Sequence, residues 1–286
     1  MTTKIIAACV LATTLLAIAS RSSPAENTNP ATAPAPVPIE IDQAGRGGDI
    51  ASRAVVRLLC PALNSASTGF LHKSGNIITA ANVVQGCGFP AMVLEDGNIS
   101  PVTTIATDAD HDLALVKPSV PLNVPALPIA SSDTVKVGGQ VSTWGFPSGY
   151  FGLAPILGVG YVAGIDTNQV AAGKSVRQWI VNAPFNGGNS GGPLIQIETG
   201  EVIGVVSTKL APLTADTAAM LRGLENSTAG PVYTGNTSDG KPATFTEGQL
   251  IAKVVNELRR QVQLVVGKAV VRDDLVNFLK ANNIEP

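Results

Sequence analysis

One stretch constrains this chain more than any other: Asn182-Ala183-Pro184-Phe185-Asn186-Gly187-Gly188-Asn189-Ser190-Gly191-Gly192-Pro193-Leu194. It sets one hydroxyl, that of Ser190, among four glycines. Glycine tolerates positive φ and lets backbone approach closely, so a turn through Gly188, Asn189 and Ser190 can aim N–H groups at a single point, as an oxyanion site requires. A plain hairpin turn would use the glycines and leave Ser190 without a task.

The stretch resembles the nucleophile loop of the trypsin-like serine proteases, and the flanking Asn-Ala-Pro and Pro-Leu match as well. Upstream, Gly75-Asn76-Ile77-Ile78-Thr79-Ala80-Ala81-Asn82-Val83-Val84 resembles the family's histidine segment, a strand running into a short turn. Position 82 is asparagine where that family has its histidine. Asp112, within Asp108-Ala109-Asp110-His111-Asp112-Leu113-Ala114-Leu115-Val116, takes the place of the family's aspartate. The three motifs follow the chymotrypsin order of histidine, aspartate and serine positions.

The resemblance covers about residues 50–285 and is nearest to bacterial exported and HtrA-like protease domains, with no room left for a PDZ module after the domain. It implies an all-β fold of two packed six-stranded antiparallel β-barrels with C-terminal helices. It also implies that Ser190 is the nucleophile position, that Asp112 orients, and that Asn82 stands at the histidine position without being a base. Asn189 is uncharged where proteolytically activated trypsins carry an aspartate, so activation through an internal ion pair is not expected.

Hydrophobic patterning divides the chain. Lys4 precedes an apolar run from Ile5 to Ala19 that ends in a small-x-small pattern, so residues 1–19 read as a signal peptide, too short for the roughly 20 residues that span a bilayer. Residues 20–44 carry prolines and alanines with little to bury, a tether. The peptidase domain then runs over 45–286. Its first barrel, about 50–117, takes strands at 54–59, 69–71, 76–79, 91–94, 102–106 and 113–116. The second barrel, about 130–210, takes 135–141, 155–165, 178–182, 194–197 and 202–208.

A helical insertion and a C-terminal helix fill 211–286. A helix is expected over 214–224, and Thr246-Glu247-Gly248-Gln249 has capping-box spacing. Leu250, Ile251, Val254, Val255, Leu258 and Val262 then recur at helical spacing, which predicts an amphipathic helix docked on the domain by its apolar face. The chain returns through 265–271 to a last helix from Asp273 or Asp274 to Asn282. Trp144 and Trp179 are expected in core or rim packing.

Composition fixes the class of partner. The chain is 45% hydrophobic and 14% charged with a net charge of −2, so no phosphate-binding surface and no nucleic-acid partner is expected. Cys9 falls in the leader, which leaves Cys60 and Cys87 flanking the Asn82 segment. In an oxidising compartment they are expected to form a disulfide; two free thiols are the alternative. Clustered metal-ligand spacing and glycine fingerprints for a nucleotide are absent, so no metal and no cofactor is expected.

An amide has no basic nitrogen and can neither take the serine proton nor return it to a leaving amine. The chain has two histidines. His72 lies across the Lys73-Ser74-Gly75 turn, roughly 20 Å from Asn82 at about 3.3 Å per residue. His111 adjoins Asp112 and should point to the opposite face. The amide nitrogen of Asn82 lies as many bonds from Cβ as an imidazole Nδ1, so it is expected to donate to Asp112.

Two functions compete at this point. One is an exported pseudoprotease, periplasmic or extracellular, that binds extended peptide or unfolded protein without cutting it. The other is an active serine endopeptidase, in which the substrate supplies the base. No membrane contact beyond the export signal is expected.

Overall fold

Short β-rich runs separated by turn glycines close into two barrels in the computed structural model, which describes residues 48–132, 135–169, 175–209, 213–236, 241–261 and 266–286. The signal peptide and tether expected over 1–44, and Cys9 with them, lie outside the described residues. A first helix, α1 (Gly48–Ala54), buries Ala51 and Ala54 and leads into β1 (Val55–Cys60). Then follow β2 (Ser65–Leu71), β3 (Ile77–Thr79), the one-turn helix α2 (Ala81–Val84), β4 (Ala91–Val93), β5 (Ile99–Asp108) and β6 (Leu113–Pro118). These six strands close in the order β1-β2-β3-β6-β5-β4, every pairing antiparallel. Ile77, Leu113, Ala114, Leu115 and Val116 lose all contact with water inside this barrel and its seam.

The second barrel opens with β7 (Gln140–Gly145), later than the 135–141 expected from the apolar pattern. Gly138, at φ +90°, and Gly139, whose N–H donates to Lys136 O at 2.8 Å, bend residues 136–139 into a turn, so pairing begins only at Gln140. The barrel continues through β8 (Ile156–Gln169), β9 (Ser175–Asn182), β10 (Pro193–Gln196) and β11 (Val202–Lys209). Trp179 is buried and its Nε1 donates to Ile203 O at 3.4 Å, while Trp144 is half-buried.

After β11 the chain leaves the barrel as α3 (Ala215–Glu225), capped by the Thr214 side chain, the hairpin β12 (Val232–Asn236) and β13 (Pro242–Thr246), and α4 (Glu247–Gln261). It returns as β14 (Val266–Val271), which pairs with both β11 and β9 and closes the barrel in the order β10-β11-β14-β9-β8-β7. The boundary at 210 is therefore corrected: the sixth strand lies beyond the insertion, so the insertion is an excursion between two neighbouring strands. A last helix, α5 (Arg272–Ala281), buries Leu275, Val276, Phe278 and Leu279 against the region where the barrels meet.

The docking expected of α4 is also corrected. Gly248, Gln249, Ala252, Asn256 and Arg259 form its covered or half-covered side, whereas Leu250, Ile251, Val254, Val255 and Leu258 are exposed. The helix packs on α3 and β13 by its small and polar face, and its apolar stripe looks outward.

Cys60 and Cys87 are bridged, with Cα atoms 5.7 Å apart across 27 residues of sequence. A loop of that length is worth about 3 to 4 kcal/mol of unfolded-state entropy. It ties the chain leaving α2 to the end of β1.

His72 closes the β2 to β3 turn, accepting or donating through Nδ1 to Ser74 Oγ at 3.0 Å, and is 2% exposed with no partner for Nε2. Burial, reinforced by the adjacent Lys73 charge, lowers its pKa to about 4. The neutral imidazole is thus favoured by folding, so its contribution is complete above the unfolded value near 6.5 and is lost as pH falls from there to about 4, by up to roughly 3 kcal/mol. Urea unfolding at pH 7 and pH 4.5 is expected to show a smaller acid loss for His72→Asn, which keeps a polar group for Ser74, than for the unmodified chain. Equal losses would contradict this account.

Candidate active site

The two barrels present their site residues from short, tightly bent segments. Helix α2 buries Ala81, Val83 and Val84, which leaves Asn82 as its one residue facing out. Asp112 sits at the end of the turn before β6 with φ +54°, a left-handed conformation that aspartate tolerates better than most residues. That bend separates it from its neighbour. His111 turns back to Asp108, with Nδ1 2.8 Å from Oδ2, and does not join Asp112.

The Asp112 carboxylate is the acceptor around which the site closes. Asn82 gives it two bonds, backbone N–H to Oδ1 at 2.9 Å and side-chain Nδ2–H to Oδ2 at 2.8 Å. The expected amide contact is therefore present. A third donor comes from the other barrel, where the Ser207 hydroxyl on β11 reaches Oδ2 at 2.5 Å. Burial raises the Asp112 pKa above the usual aspartate value, against the opposing pull of the bonds from Ser207 and Asn82.

Ser190 is joined to this cluster through the same strand. Its Oγ–H donates to Ser207 O at 2.7 Å, so one residue of β11 touches Asp112 with its side chain and Ser190 with its carbonyl. Asn82, Asp112 and Ser190 thus meet around Ser207. Neither histidine enters this set of contacts.

The loop that carries Ser190 needs its glycines. Gly188 has φ +92°, and a Cβ there would lie 2.3 Å from Phe146 O. Gly191 has φ +85°, and a Cβ there would lie 2.1 Å from Thr79 Oγ1 and 2.2 Å from Thr68 O in the first barrel. The Gly187 carbonyl accepts from Ser148 N–H at 2.6 Å, so in the trans peptide the Gly188 N–H points away from Ser148. Among the described residues, the N–H groups of Gly188 and Ser190 donate to no protein acceptor. Asn189 differs: its N–H is held by Asn186 O at 3.1 Å, and its Nδ2 donates to Pro184 O at 3.1 Å. Of the three positions expected to form the oxyanion turn, Gly188 and Ser190 keep a backbone donor to offer.

Two further residues of this framework escape sequence reasoning. Ser207 is a hydroxyl at the end of an apolar run, and nothing local distinguishes it from an ordinary strand serine. Thr68, fully buried in β2, fastens the loop from the first barrel: its N–H donates to Ser190 O at 3.0 Å and its Oγ1–H to Gly188 O at 2.7 Å. Thr68 Oγ1 also accepts from Phe146 N at 3.0 Å, and Thr79 Oγ1 donates to Thr68 O at 2.7 Å. Among the described residues no group of three or more His, Cys, Asp or Glu side chains could hold a metal ion.

Known proteins are similar to this chain in sequence and fold. "Probable periplasmic serine endoprotease DegP-like" of Chlamydia pneumoniae is 38% identical over 139 residues, covering 48% of this chain and 28% of that protein. "Periplasmic serine endoprotease DegP" of Escherichia coli K12 is 30% identical over 138 residues, again 48% of this chain and 28% of that protein. The chain therefore spans between about a quarter and a third of the curated relatives it matches. Among solved structures, the HtrA-type protease AlgW with tripeptide superposes with a TM-score of 0.55 at 19% identity, over 82% of this chain and 61% of that one, which shows a common fold. Residues 67–205, which hold Asn82, Asp112 and Ser190, match the family model described as trypsin-like peptidase domain, and the chain carries a domain of that family.

Proposed function

We propose that this chain is an exported trypsin-like domain that binds extended polypeptide in the cleft between its barrels and is strongly impaired in cutting it. The observation that carries this reading is the pairing of Asn82 with Asp112 through Nδ2 at 2.8 Å, where the family's aspartate orients an imidazole. The amide satisfies the carboxylate and supplies no base. The Ser190 proton is correspondingly donated to a backbone carbonyl, Ser207 O, which cannot carry it away. Loss of the histidine alone from a comparable triad lowers kcat by about a millionfold, or roughly 8 kcal/mol of barrier.

Binding rests on different groups. Beyond Val206, β11 pairs with β14 on one side, at Thr208 and Lys209, and has no strand partner on the other among the described residues. An extended peptide can add there as a strand, because β-pairing depends on backbone that Asn82 does not alter. The AlgW structures with tripeptide and decapeptide give the precedent in the same fold. Export is supported by the leader read in the sequence and by the periplasmic relatives.

A second reading keeps slow hydrolysis: Gly188 and Ser190 still hold unspent N–H donors, so a substrate that brings its own imidazole has an oxyanion site to use.

Two outcomes follow. Asn82→His is expected to raise hydrolysis of unfolded casein by at least about a thousandfold, with the rate falling below about pH 6.5 as the imidazole protonates. Ser190→Ala in the same background should return it to the starting level. A folded but inert Asn82→His chain would show that the cleft lacks more than its base.

The unmodified chain is expected to bind members of an extended-peptide library, measured by fluorescence polarisation, and to leave them uncut by mass spectrometry. Cleavage confined to peptides that contain histidine would establish the substrate-assisted reading. Absence of binding to any peptide would remove the cleft-binding function.

A further inference from the structure

Strand β1 carries an arginine on the face that the first barrel turns toward the second. Arg57 stands directly opposite Thr68 in the β1–β2 register, and residues so paired in antiparallel strands share a face. Thr68 is the residue that holds Gly188 O, Ser190 O and Phe146 N. Arg57 is half-buried beside it, and among the described residues no carboxylate forms an ion pair with it. A guanidinium drawn out of water without a counter-ion needs other acceptors.

It finds them in the second barrel. Nη2 donates to Tyr150 O at 2.9 Å and to Gly152 O at 2.8 Å, and the guanidinium carbon lies 4.6 Å from the centre of the Phe146 ring and 5.8 Å from that of Tyr150. Charge-assisted bonds and two ring contacts thus pin residues 146–152, the segment that follows β7, to the first barrel. The other side of that segment meets the Ser190 loop. Tyr150 N–H closes back onto Pro147 O at 3.0 Å, and Ser148 N–H, inside that turn, donates to Gly187 O at 2.6 Å.

The carbonyls of the loop have separate holders. Asn186 O accepts from Asn189 N–H, Gly188 O from Thr68 Oγ1, Asn189 O from Gly192 N–H and Ser190 O from Thr68 N–H. Gly187 O is held by Ser148 N–H, and the 187–188 peptide that it belongs to carries the Gly188 donor. In a trans peptide the C=O and N–H point opposite ways, so turning that peptide over would put a carbonyl where the Gly188 N–H now points. Glycine on both sides of the bond makes such a turn sterically cheap.

We propose that Arg57 is a positioning residue for the oxyanion turn: by pinning 146–152 from the first barrel, it keeps Ser148 N–H on Gly187 O and the Gly188 N–H free as a donor. The inference rests on the reading of Gly188 and Ser190 as an oxyanion site. Thr68 does not perform this task, because its bonds fix the 188–189 and 190–191 peptides and leave the 187–188 peptide to Ser148.

Arg57→Met tests this, since it keeps an apolar stem and removes the donors and the charge; Arg57→Gln is read in the same way should the methionine variant not fold. Amide exchange followed by NMR in the otherwise unmodified full chain should be at least about tenfold faster at Ser148, with the strand amides of both barrels within about threefold of their original rates. In the Asn82→His chain, Arg57→Met should lower kcat at least about tenfold and leave KM within about threefold, as loss of a donor used only in the transition state does. Unchanged exchange at Ser148 overturns the proposal. So does acceleration shared equally by the strand amides, which would make Arg57 a general stabiliser, and so does a rise in KM with kcat kept. An Asn82→His chain that is inert with either residue at position 57 counts against the proposed function, and the Ser148 exchange rate then decides for or against the hold of Arg57 on the turn.

Discussion

A half-buried carboxylate shared between two barrels sets the terms for the rest of this structure. Asp112 comes from the first barrel, yet one of its donors, the Ser207 hydroxyl, comes from the second. An ionised carboxylate in so covered a place persists only if its lone pairs are filled, and Asn82 fills two of those positions with its backbone and side-chain N–H groups. Under the proposed reading, asparagine at position 82 therefore leaves no hole in the hydrogen bonding. An aliphatic residue at position 82 would have stranded part of the carboxylate, at a cost of roughly 1 to 3 kcal/mol.

The second constraint is how closely the Ser190 loop approaches its surroundings. Gly188 and Gly191 sit at positive φ against backbone atoms of the β7 end and of β2, with no room for a methyl group. Thr68 then fixes the loop through its own N–H and hydroxyl, while the β7 side contributes the bonds from Phe146 N and Ser148 N. The serine loop is thus held from both barrels before any substrate arrives. Such preorganisation persists independently of whether a base is present, which is why binding and cutting separate in this account.

Much of the fold was legible because its signals are local. Alternation marked the strands of the first barrel, Gly-Gly-Asn-Ser-Gly-Gly marked the loop, and Asp112 before an apolar run marked the acceptor. Other features were not legible from the apolar pattern alone. The 136–139 turn won over the apolar pattern at Val135 to Val141, since Gly138 supplies a positive φ that a strand does not. The sixth strand of the second barrel, Val266–Val271, is separated from β11 by the whole insertion and finds its place only through pairing with β11 and β9. Periodicity identified α4 and its apolar stripe correctly, but periodicity cannot say which face the rest of the chain will cover. Ser207 and Thr68 act through contacts 95 and 120 residues away in sequence, with Asp112 and Gly188 respectively.

The central claim is that Ser190 sits in a complete cradle without a base, and its reactivity toward a fluorophosphonate measures that most directly. Such a probe needs an activated hydroxyl and an oxyanion site, and asks nothing of substrate specificity. Intact-mass spectrometry of the unmodified chain is predicted to show no adduct at Ser190 under conditions that label Asn82→His completely. Stoichiometric labelling of Ser190 in the unmodified chain would contradict the account, because it would require a base at the Ser190 hydroxyl, which donates here to the Ser207 carbonyl and does not touch Asp112.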